Sequence, residues 1–206
     1  MSVTFSLPLV LDGGSVIALV VGGGTVATRK VGSLLDGGAL VRVRAPRVSD
    51  ELARREASDS HLLIEREPYD ASAIGEATLV IAATDDQALN MRIAADTRRA
   101  HRLVLVAGDP AAGTCVMPAV HRSGELLVAV TSGGVPRASA RVRDDLARRL
   151  DNRYAAAIRD LVRLRQRLLQ DDDRAAWRSA ANALLADDFC ESVESGAFSE
   201  RLAEWR

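Results

Sequence analysis

From Val16 to Val21 every residue is apolar. The run ends on Gly22-Gly23-Gly24-Thr25-Val26-Ala27, after which apolar and polar positions follow helical spacing to Asp36. This is the pattern of a buried strand that feeds a helix through Gly-x-Gly-x-x-Ala. Alternation over Ala39–Ala45 predicts a second strand, stopped by Pro46, and Ser49 is the expected N-cap of a helix over Asp50–Ala57. His61–Glu65, Thr78–Ala83 and Leu103–Val106 read as further strands, with a helix over Gln87–Arg99 between the last two. Strands alternating with crossover helices predict an α/β fold, a doubly wound parallel sheet of the Rossmann type.

The rhythm changes after residue 113. Thr114–Val120 and Glu125–Val130 flank Arg122-Ser123-Gly124, a hairpin signal. Beyond Gly133-Gly134 the chain is rich in Ala, Leu and Arg, and helices are expected over Ala138–Leu150, Tyr154–Leu169 and Arg174–Ala186. The expected divisions are a dinucleotide-binding domain over 1–113, a hairpin-plus-helix region over 114–150 and a helical domain over 151–206.

Composition narrows the function classes. The 27 basic and 28 acidic residues nearly cancel, so no global field draws the chain to nucleic acid. No apolar run is long enough to cross a bilayer, and no secretory leader is visible, which predicts a cytoplasmic protein without membrane partners. The two cysteines, Cys115 and Cys190, are far apart and lack ligand spacing, so no structural metal is expected.

The glycines carry the first chemical inference. A sharp turn without side chains lets a diphosphate approach the backbone, and the helix N-terminus offers unpaired N–H groups to it. A dinucleotide fold normally places an acid at the end of its second strand to hold the adenosine ribose. This chain has Arg44, then Pro46-Arg47. Arginine there favours a phosphate or stacks on adenine, so NADP stays open beside NAD. Thr84-Asp85-Asp86 follows the fourth strand, where Thr84 and Asp85 suit a nicotinamide ribose and also suit a helix cap. Thr131-Ser132-Gly133-Gly134-Val135-Pro136-Arg137 is a second glycine loop, with the hydroxyl of Ser132 and the charges of Arg137 and Arg141 available to an anion.

Four blocks occur in order: Val20–Lys30, Ile81–Asp86, Val116–Ala119 and Val128–Gly134. Together they resemble the precorrin-2 dehydrogenase/sirohydrochlorin ferrochelatase family, the N-terminal module of siroheme synthase. The likeness covers about the first 150 residues well and the helical tail more loosely. It implies a Rossmann domain, then a dimerisation region, then a helical domain, in a homodimer that oxidises precorrin-2 with NAD. By motif position it implies cofactor contacts at Gly22, Gly24, Thr25, Val26, Pro46, Arg47, Thr84 and Asp85, and it places Ser132 near the tetrapyrrole. The many carboxylates of that substrate call for distributed cations. Arg137, Arg141, Arg143, Arg148 and Arg149 follow the Ser132 loop; most are expected to lie on a solvated helix face with Asp144 and Asp145 as partners, and Arg137 and Arg141, nearest the loop, are the candidates.

One departure bears on mechanism. The family ends its fifth strand with Asn-x-x-Asp, one residue and Pro, and that aspartate is its acid/base and metal-site residue. Counting back from Pro110 puts Leu105 and Gly108 at those positions, with Asp109 one residue late. Asp109 is therefore the candidate catalytic residue, and it depends on Gly108 turning the backbone to bring its carboxylate back. Hydride transfer is chiefly cofactor chemistry, so dehydrogenase activity is expected and chelatase activity is doubtful. The alternatives are a catalytically weak dinucleotide- or tetrapyrrole-binding dimer, and an unrelated NADP-dependent reductase.

Overall fold

The computed structural model describes residues 7–205. They form two compact units, one ending at Met117 and the other beginning at Pro118. In the first unit β1 (Ile17–Val21), β2 (Leu40–Arg44), β3 (Leu62–Glu65), β4 (Leu79–Ala82) and β5 (Leu103–Val106) make one sheet, in the order β3-β2-β1-β4-β5. Every pairing in it is parallel. α1 (Thr25–Leu35), α2 (Asp50–Glu56), α3 (Gln87–Arg99) and a 3-10 turn at Ala71–Ile74 supply crossovers.

The unbroken apolar run of β1 follows from burial on both faces. Ala18 and Val20 pack with Ala27, Val31 and Leu52 on one side. Leu19 and Val21 pack with Ala73, Ile93 and Ala94 on the other. Truncating a wholly buried side chain such as Leu19 costs about 2–5 kcal/mol. The chain lays β2 and β3 outward from one edge of β1, then returns to place β4 against the other. This reversal opens a crevice at the carboxyl ends of β1 and β4, where open α/β sheets take ligands.

The second unit contains an antiparallel hairpin, β6 (Ala119–Ser123) and β7 (Leu126–Val130), and five helices. These are α4 (Pro136–Arg149), α5 (Asn152–Gln170), α6 (Arg174–Leu184), α7 (Phe189–Ser195) and α8 (Ala197–Ala203). Tyr154, Leu161, Leu164, Leu184, Phe198 and Leu202 form its core. The last two helices are each one to two turns long and meet at Gly196, whose left-handed φ of +87° lets the chain reverse.

The hairpin differs from the expectation drawn from the sequence. Its first strand begins at Ala119 and its turn is Gly124-Glu125, because Ser123 pairs with Leu126. The stretch read as the start of that strand is held elsewhere. The Thr114 and Cys115 N–H groups donate to the Val104 carbonyl at 2.7 and 3.2 Å, and the Thr114 hydroxyl accepts from the Val104 N–H at 2.9 Å. Pro118 then interrupts, having no N–H for a ladder.

Candidate functional site

The turn after β1 is shaped by the sheet around it. Gly22 has φ of +121°, and a Cβ there would lie 2.3 Å from the Ala83 carbonyl oxygen. A Cβ on Gly23 would lie 2.1 Å from the carbonyl oxygen of Arg47. The Gly22 N–H donates to the Arg44 carbonyl at 3.1 Å, and the Gly23 carbonyl accepts from the Ser49 N–H at 2.9 Å. Two neighbouring strand-end loops therefore press on the first two glycines, and no side chain fits at either.

Gly24 is different. Its backbone is ordinary extended chain, φ −84° and ψ −173°, and a Cβ there would meet nothing within 4 Å. Packing within the protein gives no reason for glycine at this position; an incoming group that must reach the backbone does. Gly24 also caps α1 without a side-chain hydrogen bond, so the N–H groups of Thr25 and Val26 begin the helix with no cap of the kind Ser49 gives α2 and Asp86 gives α3. Open space beside uncapped amides fits a diphosphate. Thr28 steadies the turn, its hydroxyl lying 3.0 Å from the Gly24 carbonyl and 2.9 Å from the Ser49 hydroxyl.

Pro46 and Arg47 are exposed on the loop that crosses Gly23, so the structure brings them beside the turn. Arg44 is not available there as a phosphate ligand, contrary to the role that kept NADP open. It is engaged by Glu65, Glu67 and Asp70 at 3.0, 2.9 and 2.6 Å. These partners hold its guanidinium charge more firmly than usual. The pairing needs β3 alongside β2, which a local reading of Arg44 could not supply.

At the end of β4, Thr84 is locked by Asn90, a residue the sequence reading missed. The Asn90 Oδ1 accepts from the Thr84 N–H at 3.2 Å and lies 2.8 Å from its hydroxyl, and its amide donates to the Thr84 carbonyl at 3.0 Å. The available signal was a lone asparagine one turn into a helix after Thr-Asp-Asp. Asp86 is the α3 cap, accepting from the Leu89 N–H at 3.0 Å, which leaves Asp85 exposed and free of that task.

Gly108 adopts φ of +84°, the turn needed to redirect the following residue. Asp109 then caps the short turn Pro110–Ala112, accepting from the Ala112 N–H at 3.3 Å. Thr84, Asp85, Asn90, Gly108 and Asp109 line one depression of about 260 Å³ at this sheet edge. A somewhat larger hollow of about 340 Å³ lies on α5 in the second unit, over Leu164 and Leu202. No acid–base set converges there: Arg163 faces Asp160, and Arg167 donates to the Trp205 carbonyl.

In the second unit the Ser132 hydroxyl lies 2.7 Å from the Val135 carbonyl and 2.7 Å from the hydroxyl of buried Ser139. A carbonyl can only accept, so the Ser132 hydroxyl donates to Val135 and its oxygen accepts from the Ser139 hydroxyl. Gly133 and Gly134 are both left-handed, at φ +58° and +99°. Arg148 and Arg149 pair with Asp145 at 2.6 and 3.4 Å, at the three- and four-residue spacings of a helix face, and Arg143 pairs with its neighbour Asp144 at 2.7 Å. Arg137 and Arg141 are exposed, without an ion-pair partner among the described residues.

His121 meets the Leu150 carbonyl at 3.2 Å, and His61 and His101 are exposed. Burial pushes the Cys115 thiol above its ordinary pKa, against thiolate chemistry. Among the described residues no cluster of three or more His, Cys, Asp or Glu could hold a metal ion, and no helix is long and apolar enough to cross a membrane.

Residues 9–119 match a family described as putative NAD(P)-binding. The chain is similar to a siroheme synthase of Saccharophagus degradans, with 35% identity over 187 residues that cover 88% of this chain and 41% of that protein. It is also similar to a siroheme synthase of Pseudomonas putida strain W619, with 36% identity over 200 residues, 94% of this chain and 42% of that protein. The chain thus spans less than half the length of these relatives. A solved structure of a precorrin-2 dehydrogenase superposes with a TM-score of 0.77 at 26% identity, covering 97% of this chain and 100% of that one.

Proposed function

Because the chain belongs to the NAD(P)-binding family that includes siroheme synthases and precorrin-2 dehydrogenase, we propose that it oxidises precorrin-2 to sirohydrochlorin, with NAD as cofactor, in the synthesis of siroheme and related tetrapyrroles. The observation that carries this reading is Gly24, open on its Cβ side at the uncapped start of α1. NAD, when bound, supplies the carbon that takes the hydride. The residues of the chain position and exchange the proton. The N–H groups of Thr25 and Val26 take the diphosphate, Gly24 gives it room at the turn that Gly22 shapes, and Pro46 and Arg47 flank the adenosine. Thr84, held by Asn90, and Asp85 serve the nicotinamide ribose. Asp109, on the same depression, accepts the proton lost as the macrocycle is oxidised. Ser132, Arg137 and Arg141 are the contacts we assign to the substrate, the two arginines meeting its carboxylates.

Iron insertion is weak or absent in this reading, because Gly108 and Leu105 stand where the family carries its metal-site aspartate and asparagine. We place the enzyme in the cytoplasm as a homodimer. Most β6 and β7 side chains stay only half-buried although α4 and α5 pack on the hairpin, which supports pairing with a second copy. Mixing protein, precorrin-2 and NAD and following NADH absorbance tests the proposal. Turnover is expected, and Asp109→Asn, which keeps a capping oxygen, is expected to lower kcat by about two to four orders of magnitude. Binding of both ligands without NADH formation identifies instead a binding protein, the alternative kept open by Gly108 at the position where the family carries its aspartate. Iron insertion at a rate rivalling dehydrogenation contradicts the assignment of Gly108.

A further inference from the structure

Building on the NAD reading above, we propose that the carboxylates around Arg44 set the choice of dinucleotide. Glu65, Glu67 and Asp70 hold a potential phosphate ligand out of action, so the chain prefers NAD, and Arg44 is a latent NADP determinant. Arg44 ends β2 directly beside the glycine turn. It stands in register with Val21, and its carbonyl accepts the Gly22 N–H at 3.1 Å. In dinucleotide folds this strand end faces the adenosine ribose. An acid there accepts from the 2′-hydroxyl, whereas an arginine nearby accommodates a 2′-phosphate.

The arginine is present here, but every guanidinium nitrogen already has an acceptor. Nε donates to the Pro68 carbonyl at 2.8 Å and Nη1 to Glu65 at 3.0 Å. Nη2 donates to Asp70 at 2.6 Å and lies 2.9 Å from Glu67. The side chain is only 14% exposed. The second oxygen of Glu65 takes Arg42 at 3.0 Å. Two guanidinium charges against three carboxylates leave the cluster one charge negative. A 2′-phosphate approaching it meets a surplus of its own sign and a guanidinium whose three nitrogens are each already engaged, while a neutral 2′-hydroxyl does not meet the charge. Arg47, exposed on the next loop, adds a solvent-screened charge that does not depend on this cluster.

Calorimetric titration of NAD and NADP into the full chain tests this, alongside Glu67→Gln/Asp70→Asn and the same double variant carrying Arg44→Ala. Asp70→Asn retains an oxygen to accept the Ser72 N–H, now at 2.9 Å, so the 71–74 turn keeps its cap. Glu67→Gln alone, at a position 65% exposed, serves if the double variant does not fold. The wild type is expected to bind NAD at least about tenfold more tightly than NADP. Releasing Arg44 is expected to raise NADP affinity about tenfold or more, with NAD affinity changed less than about threefold. Adding Arg44→Ala is expected to abolish the gain. The proposal is overturned by equal wild-type affinities, by unchanged NADP affinity in the neutralised variants, or by a gain that survives Arg44→Ala. A wild type that binds neither dinucleotide contradicts the NAD reading itself. Wild-type NAD binding without the NADP gain contradicts only the role given to Arg44.

Discussion

Gly22 and Gly23 sit against backbone carbonyls that leave no room for a Cβ, whereas Gly133 and Gly134 stand in open space with positive φ. The first turn is shaped from outside, by the strand-end loops at Ala83 and Arg47. The second takes its shape from within, from left-handed residues and the pair of hydroxyls on Ser132 and Ser139. A turn fixed by a sheet is ready before its ligand arrives, and binding loses little to ordering. A turn fixed only by local torsions and two hydrogen bonds keeps more freedom to adjust. In the first unit Gly22 and Gly23 answer to the sheet, whereas nothing in the fold crowds Gly24, the position we propose for the ligand.

Substitutions sharpen that contrast. The largest effect is expected from Gly22→Ala, which combines a forbidden φ with a Cβ driven into the Ala83 carbonyl. It should cost about 3 kcal/mol or more of stability, read in denaturant melts, and remove NAD binding with it. Gly24→Ala should leave stability within about 0.5 kcal/mol while lowering NAD affinity about tenfold. In the second turn, Gly133→Ala should cost about 1 kcal/mol, the ordinary penalty for a side chain in left-handed backbone, because nothing crowds its Cβ. The smallest effects fall on Arg137→Ala and Arg141→Ala. Each should raise the KM for the tetrapyrrole about threefold, less so at high salt, with kcat unchanged. If Gly22→Ala proves no worse than Gly133→Ala in stability, the distinction between the two turns fails.

Much of the first unit was legible in the chain because its signals are local. Val16–Val21, the glycines behind it and Ser49 each announce their element within a few residues. The parallel sheet and the coverage of both its faces follow from alternating strands and helices. Two features of the site were not legible, for a shared reason. The engagement of Arg44 depends on β3 lying beside β2, and the lock on Thr84 depends on Asn90 folding back one helical turn later. Both are contacts between residues whose types look unremarkable alone. The hairpin was misplaced because Thr114 and Cys115 have strand-like side chains whose N–H groups are claimed by Val104. Helices α7 and α8 are too short to show a helical period. At Asp109 the sequence left two orientations open. The left-handed Gly108 places it on the depression with Thr84 and Asp85.

The central claim is that the turn from Gly22 to Gly24 receives the diphosphate of NAD. Calorimetric titration of NAD into the wild type and Gly24→Ala, with melting temperatures taken on the same samples, tests it most directly. The account predicts saturable binding by the wild type, affinity about tenfold weaker in the variant, and matching melting temperatures. Equal affinity in the two proteins, or no binding by either, would contradict it.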